Sequence, residues 1–161
     1  MTVVAGEGWP LGPGVLKIGA TGTEIDISCL INNCTIAAAK NTTDSTTKLC
    51  GDVVPGTTTY DYTIGGNVDL DIAEATGFFA LTQKSPGTQQ DFTFTPNSDA
   101  GTTAVGKCVI DPLDFGGGTT TETMAADFEF ALVGQPTYTY GDGTAADALV
   151  AAEDDQQLVD A

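Results

Sequence analysis

The chain has no histidine and no arginine, and five lysines face 22 aspartates and glutamates. Without histidine the commonest general base and the commonest metal ligand are missing. Without arginine there is no bidentate clamp for a phosphorylated or carboxylate substrate. A formal charge of −17 at pH 7 repels a phosphate backbone, which excludes proteins that wrap DNA, RNA or an anionic membrane by neutralising it. Long apolar runs are missing too. Nothing approaches the ~20 residues that span a bilayer, and the first ten residues carry neither the basic start nor the apolar stretch of a signal peptide. The expectation is a soluble protein made in the cytosol, with chemistry the poorer wager.

What is present favours strands. At 161 residues the chain suits one domain with loose ends. Charged residues make up only 17%, while threonine, glycine and alanine are plentiful and 41% is hydrophobic. This predicts a mainly β fold with many turns and argues against general disorder. Cys29, Cys34, Cys50 and Cys108 fit neither a four-thiolate zinc spacing nor an evident pair of bridges. They read as small buried apolar residues with free thiols. Asn33-Cys34-Thr35 and Asn41-Thr42-Thr43 match the glycosylation triplet, which carries little weight without a secretory signal.

Along the chain, Trp9-Pro10 and Gly12-Pro13-Gly14 are too broken for regular structure and read as an arm. Val15 to Ile18 is a short strand. Ile25, Ile27, Cys29 and Ile31 alternate with Glu24, Asp26, Ser28 and Leu30, predicting one half-buried strand that continues toward Ile36. The polar stretch from Lys40 to Thr47, with Gly51, Pro55 and Gly56 after it, reads as a long loop suited to partner contact. Tyr60, Tyr62 and Ile64 alternate with Thr59, Asp61 and Thr63 until Gly65-Gly66 breaks or bulges the strand. A helix is expected over 72–84, opened by a capping box at Asp71 and Glu74, weakened at Gly77 by ~1 kcal/mol and stopped by Ser85-Pro86-Gly87. Strands follow around Phe92 and Phe94, from Val105 to Ile110, and from Met124 to Leu132. Thr137 to Tyr140 reads as an edge strand. Greasy rows opposed by carboxylates belong to a sheet with one wet face.

Constellations that might carry chemistry have plainer readings. Asp69, Asp71 and Glu74 resemble a divalent-metal cluster, but helix capping accounts for them. Asp127 and Glu129 resemble a carboxylate pair, but a solvated sheet face does as well. Gly116-Gly117-Gly118 is neither a phosphate loop nor a dinucleotide fingerprint, and reads as a hairpin end. No catalytic residue, metal or cofactor is expected. A small hydrolase built on Asp69 and Asp71 is the weakest alternative.

Several segments in order look familiar: Leu16-Lys17-Ile18-Gly19, Glu24 to Cys29, Lys48 to Gly56, Asp91 to Asn97, Val109 to Leu113, Ala126 to Phe130 and Val133 to Thr137. Together they resemble the major tail proteins of long-tailed bacteriophages, especially those infecting actinobacteria, over about residues 14 to 140. The resemblance implies a single β-sandwich or barrel-like domain with one flanking helix, forming hexameric rings whose strands complete a channel barrel. Rings would stack into a non-contractile tail tube, in a virion tail assembled in the host cytoplasm. Its partners would be further copies and the tail terminator, tape measure and baseplate proteins, while DNA passes without specific binding and no membrane is engaged. Residues 1–13 and 141–161 would be arms. A loop at about 37–56 would contact the next ring through Lys40, Asn41, Asp44, Lys48, Leu49, Asp52 and Val53. Asp61, Asp91, Asp127 and Glu129 are the lumen candidates, because they alternate with core residues. The alternative is an Ig-like capsid-decoration or surface-binding β-sandwich module. A salt-rich habitat would also favour such acidity.

Overall fold

Strict apolar and polar alternation with threonine-rich strands produces two layered sheets. The computed structural model describes Gly6 and residues 8–141. The elements are β1 (Val15–Ile18), β2 (Ile25–Asp26), β3 (Ile31–Thr42), β4 (Thr46–Thr47), β5 (Val53–Val54), β6 (Thr58–Asp69), α1 (Phe78–Lys84), β7 (Gln89–Thr95), β8 (Thr103–Val109), β9 (Ala125–Ala131) and β10 (Thr137–Thr139). One sheet runs β10-β8-β7-β1-β2, a second runs β3-β6-β9, and β4 pairs with β5 as a small ribbon. The named neighbours are antiparallel throughout.

The inward rows meet in one core. Leu16, Ile18, Phe92, Phe94, Ala104 and Cys108 come from the five-stranded sheet, and Cys34, Ile64, Val68, Phe128 and Phe130 from the three-stranded sheet. Helix α1 adds Phe78, whose ring meets Phe128 edge-on at 6.2 Å and Phe130 at 6.0 Å. Each such aromatic contact adds about 0.5–1.5 kcal/mol to the burial itself. Along one side the sheets are stitched together: Cys108 bridges to Leu132, and the Val133 N–H donates to the Lys107 carbonyl at 2.9 Å. The result is a sandwich and not a closed barrel.

Five expectations are corrected. The stripe from Glu24 to Ile36 is two strands in two sheets, because the Asp26 carboxylate accepts the Ser28 N–H at 3.0 Å and the Leu30 N–H donates to the Ile27 carbonyl at 2.9 Å, turning the chain. The helix begins at Phe78, not at 72, and there is no capping box. Residues 71–77 form successive turns, with Glu74 N–H on Asp71 and Gly77 N–H on Glu74. Asp71 caps from seven residues back, its carboxylate accepting the Phe78 and Phe79 N–H groups at 2.8 and 2.9 Å.

Gly65-Gly66 does not break β6, which pairs through both glycines with β3 and β9. A Cβ on Gly66 would lie 1.9 Å from the Asn33 carbonyl oxygen, so glycine is what lets β3 lie this close. The span 37–56 is not an irregular loop, since the β3–β6 ladder continues to Thr42 opposite Thr58 and the β4–β5 ribbon follows. Finally, Gly116, Gly117 and Gly118 all take positive φ in an irregular connection from β8 to β9, which lie in different sheets, so they end no hairpin.

The strands β1, β7, β8, β9 and the edge strand β10 form where the pattern placed them. Part of the N-terminal arm is tied down: Asn97 donates through Nδ2 to the carbonyls of Pro10 and Gly12 at 3.0 and 2.9 Å. Residues 1–5, Glu7 and 142–161 lie outside the described residues, so the C-terminal arm is beyond this account.

Candidate functional site

Three aligned strands build an acidic face. Register places Asn33, Asn67 and Asp127 in one outward row, Thr35, Gly65 and Glu129 in the next, and Ala37, Thr63 and Ala131 in a third. By the same alternation Asp61 and Asp69 point outward from β6. The face therefore holds four carboxylates, Asp61, Asp69, Asp127 and Glu129, and no lysine. Amides tie it together: Asn32 Nδ2 donates to Asn67 Oδ1 at 2.8 Å and to Asp69 Oδ1 at 2.9 Å, Asn67 Nδ2 to Asp127 Oδ1 at 2.9 Å, and Asn41 Nδ2 to Asp61 Oδ2 at 2.7 Å. Gly65, lacking a side chain, leaves a shallow depression between Thr35 and Glu129.

The outward side of the five-stranded sheet differs. Lys17 stands opposite Asp26 and Thr93, and Lys107 opposite Asp91. Lys107 Nζ lies 3.1 Å from Asp91 Oδ1, the only ion pair among the described residues. Two cations and two anions balance here. Hydrogen bonds from the Ser28 hydroxyl, then from its N–H, hold the Asp26 carboxyl below its ordinary 3.8. The four lumen candidates are thus not together: Asp61, Asp127 and Glu129 share one face, and Asp91 is neutralised on the other.

The contact candidates do gather in one place. Lys40 and Asn41 lie at the far end of β3, Asp44 between β3 and β4, Lys48 and Leu49 at the turn, and Asp52 and Val53 on the return. Every residue from Ala37 through Asp61 is exposed. A two-stranded ribbon with nothing buried is marginal by itself in water. Leu49 is fully exposed, and Val53 and Val54 are exposed beside it.

Asp71 caps α1 while Asp69 faces the amide network, so the two acids serve different neighbours. Of the four cysteines, all free, only Cys34 and Cys108 are buried; Cys29 and Cys50 are exposed, so the buried-thiol expectation holds for half. Burial pushes the Cys34 and Cys108 thiols up to about 12, with the Asp91 charge adding to the rise at Cys108.

Sequence reasoning missed Asn32, Asn67 and Asp69 as members of the acidic face. Continuing the Asp61 alternation through the two glycines would have found Asn67 and Asp69.

No protein-family model and no curated protein matches the chain. Solved structures do. A chain in the tail of an empty gene transfer agent (GTA) particle, obtained by helical refinement with C6 symmetry, superposes with a TM-score of 0.54 at 18% identity, covering 78% of this chain and 95% of that one. A chain in the virion of a native GTA particle gives 0.50 at 19% identity, with 77% and 95% covered. The fold is shared with chains of these particles. At such identity the likeness fixes architecture alone, and the mainly β sandwich with one flanking helix that the resemblance implied is what the structure contains.

Proposed function

We propose that this chain is a structural subunit of a phage-like tail. Copies join as hexameric rings, rings stack into a non-contractile tube, and the β3-β6-β9 face lines a bore through which DNA passes without binding. The observation that carries this reading is the lysine-free face of four carboxylates on a sheet whose end strands, β3 and β9, have no further strand beside them among the described residues. Long free edges invite pairing with another chain, and closing them between copies would turn the face into a continuous wall. The fold match to a C6 tail supports a sixfold arrangement. Within a Debye length of ~8 Å such a wall repels a duplex toward the axis.

The balanced face then belongs outside. The projecting hairpin at about 37–56 serves contact between rings, the arms at 1–13 and 141–161 reach adjacent copies, and the tube ends meet terminator, tape measure and baseplate proteins. Nothing in this role requires a catalytic step or cofactor.

Assembly tests it. At −17 per copy a hexamer carries on the order of −100, so screening should favour association. Electron microscopy of the purified protein is expected to show rings and tubes that increase with protein and salt concentration. A map of those tubes should put Asp61, Asp69, Asp127 and Glu129 toward the axis. A protein that stays monomeric throughout, or a map with these acids on the outside, refutes the reading.

A further inference from the structure

The two free edges of the acidic sheet differ in which backbone groups they offer. The other sheet ends in β2 and β10, of two and three residues, too short to hold a second chain, whereas β3 runs for 12 residues and β9 for seven. Antiparallel neighbours alternate between bonded and unbonded pairs. The Leu132 N–H donates to the Tyr62 carbonyl at 2.9 Å, so by register the even residues of β9 bond β6, while Asp127 and Glu129 turn N–H and C=O toward the free edge. The Thr43 N–H donates to the Thr57 carbonyl at 2.9 Å, so the odd residues of β3 bond β6, while Cys34, Ile36 and Ala38 turn theirs outward.

Side chains restrict what each edge can accept. The edge-directed residues of β9 carry theirs on the acidic face, and Cys34 and Ile36 of β3 carry theirs on the core side. An antiparallel pairing sets edge-directed residues opposite one another, which would put Glu129 beside Ile36, a carboxylate against the core. A parallel pairing sets each opposite a residue whose groups point the other way, so Asp127 and Glu129 stand beside neutral Asn33, Thr35 or Ala37 and the acidic face runs on without a step. Pairing β9 with a second β9 sets carboxylates against their own twins, which destabilises. Pairing β3 with a second β3 leaves β9 open and closes at a dimer.

We infer that β9 of one copy pairs in parallel with β3 of the next, over roughly five residues from Ala125 to Glu129, because farther on Leu132 turns to Cys108. The inference rests on the proposed tube and adds the mate of each edge and the sense of the seam. Rotation about the tube axis keeps strand direction, and β3 and β9 run the same way within a copy, so every seam is alike and the heterologous contact closes as a ring. Three strands per copy give the proposed sixfold ring about 18, a size at which a barrel encloses an aqueous channel. At ~4.8 Å between strands and a tilt of ~40°, the wall is about 36 Å across. Parallel pairing is the weaker kind, so rings should part at these seams into folded subunits.

Disulfides report the seam. Within one copy β6 holds β3 and β9 two strand spacings apart, ~9.6 Å, beyond the roughly 4.4–6.8 Å between Cα atoms that a disulfide spans, so a β3–β9 bond joins copies. In a Cys29→Ser, Cys50→Ser background, Asp127→Cys is combined in turn with Asn33→Cys, Thr35→Cys, Ala37→Cys or Ala39→Cys and the tubes are oxidised. One partner should be preferred, with a non-reducing gel ladder that ends at the hexamer. With Glu129→Cys in place of Asp127→Cys the preferred partner should move two residues toward the C-terminus. Glu129→Pro, which deletes an edge N–H, should raise the concentration needed for rings at least tenfold over Glu129→Thr, which deletes only the charge. A preferred partner that moves toward the N-terminus, no β3–β9 bond in intact tubes, dimers from Asp127→Cys alone, a folded Glu129→Pro protein that assembles like Glu129→Thr, or a map with a further strand between β9 and β3 would each overturn the inference while leaving the tube standing. A wild-type protein that forms neither rings nor tubes removes the tail reading itself, and this inference with it.

Discussion

The two sheets share one core and turn opposite electrostatic characters outward. On the five-stranded sheet Lys17 and Lys107 offset Asp26 and Asp91, and one pair is in contact at 3.1 Å. On the three-stranded sheet four carboxylates have only amides and threonines for company. Folding alone needs only the inward rows, so it does not account for the difference. A net charge of −17 spread for solubility would have no reason to avoid one face and concentrate on another. The segregation fits the proposed tube, in which the acidic face would meet a polyanion that must pass without being held.

That contrast can be broken at three levels. The largest effect comes from removing what the faces share. Phe130 is fully buried and packs on Phe78, so Phe130→Ala should cost the subunit about 3–5 kcal/mol in urea unfolding, with both sheets lost in one transition.

Next comes exchange of charge between faces. Asp127→Lys with Glu129→Lys cancels the acidic face and should lower the salt needed for half-maximal tube formation by about threefold or more, since screening is then less needed. Asp91→Lys with Thr93→Lys and Val105→Lys, all outward on the five-stranded sheet, changes net charge equally and should leave that midpoint nearly unmoved. Equal shifts from both sets would mean that net charge, and not its placement, governs assembly. The smallest effect is at the exposed ion pair: Lys107→Met should change unfolding stability by no more than about 1 kcal/mol, because Asp91 remains solvated when its partner is removed.

Much of this was legible in the sequence where the period was short and uninterrupted. Phe92 and Phe94, and Ala126, Phe128 and Phe130, announce half-buried strands, and both sets lie in the core. The same alternation assigned Asp127 and Glu129 to a wet face. Failures came where a side chain bonded locally to redirect the backbone. Asp26 with Ser28 turns a continuous stripe into strands of separate sheets, and Asp71 reaches across seven residues to begin a helix that helical spacing placed earlier. The hairpin was misjudged for another reason: threonine and asparagine with no apolar row read as loop, yet they pair well in a ribbon whose burial must come from elsewhere. Asp91 shows the limit of parity arguments, since alternation tells inside from outside but not which outside.

The pair of enclosed thiols has a consequence for durability. Oxidants and alkylating agents attack the thiolate, and Cys34 and Cys108, held protonated up to about pH 12, offer almost none at physiological pH. If the proposed particle passes from a reducing cell into aerated water, these two thiols would stay reduced, and thiol oxidation would fall on Cys50 at the hairpin turn and Cys29 beside Ser28.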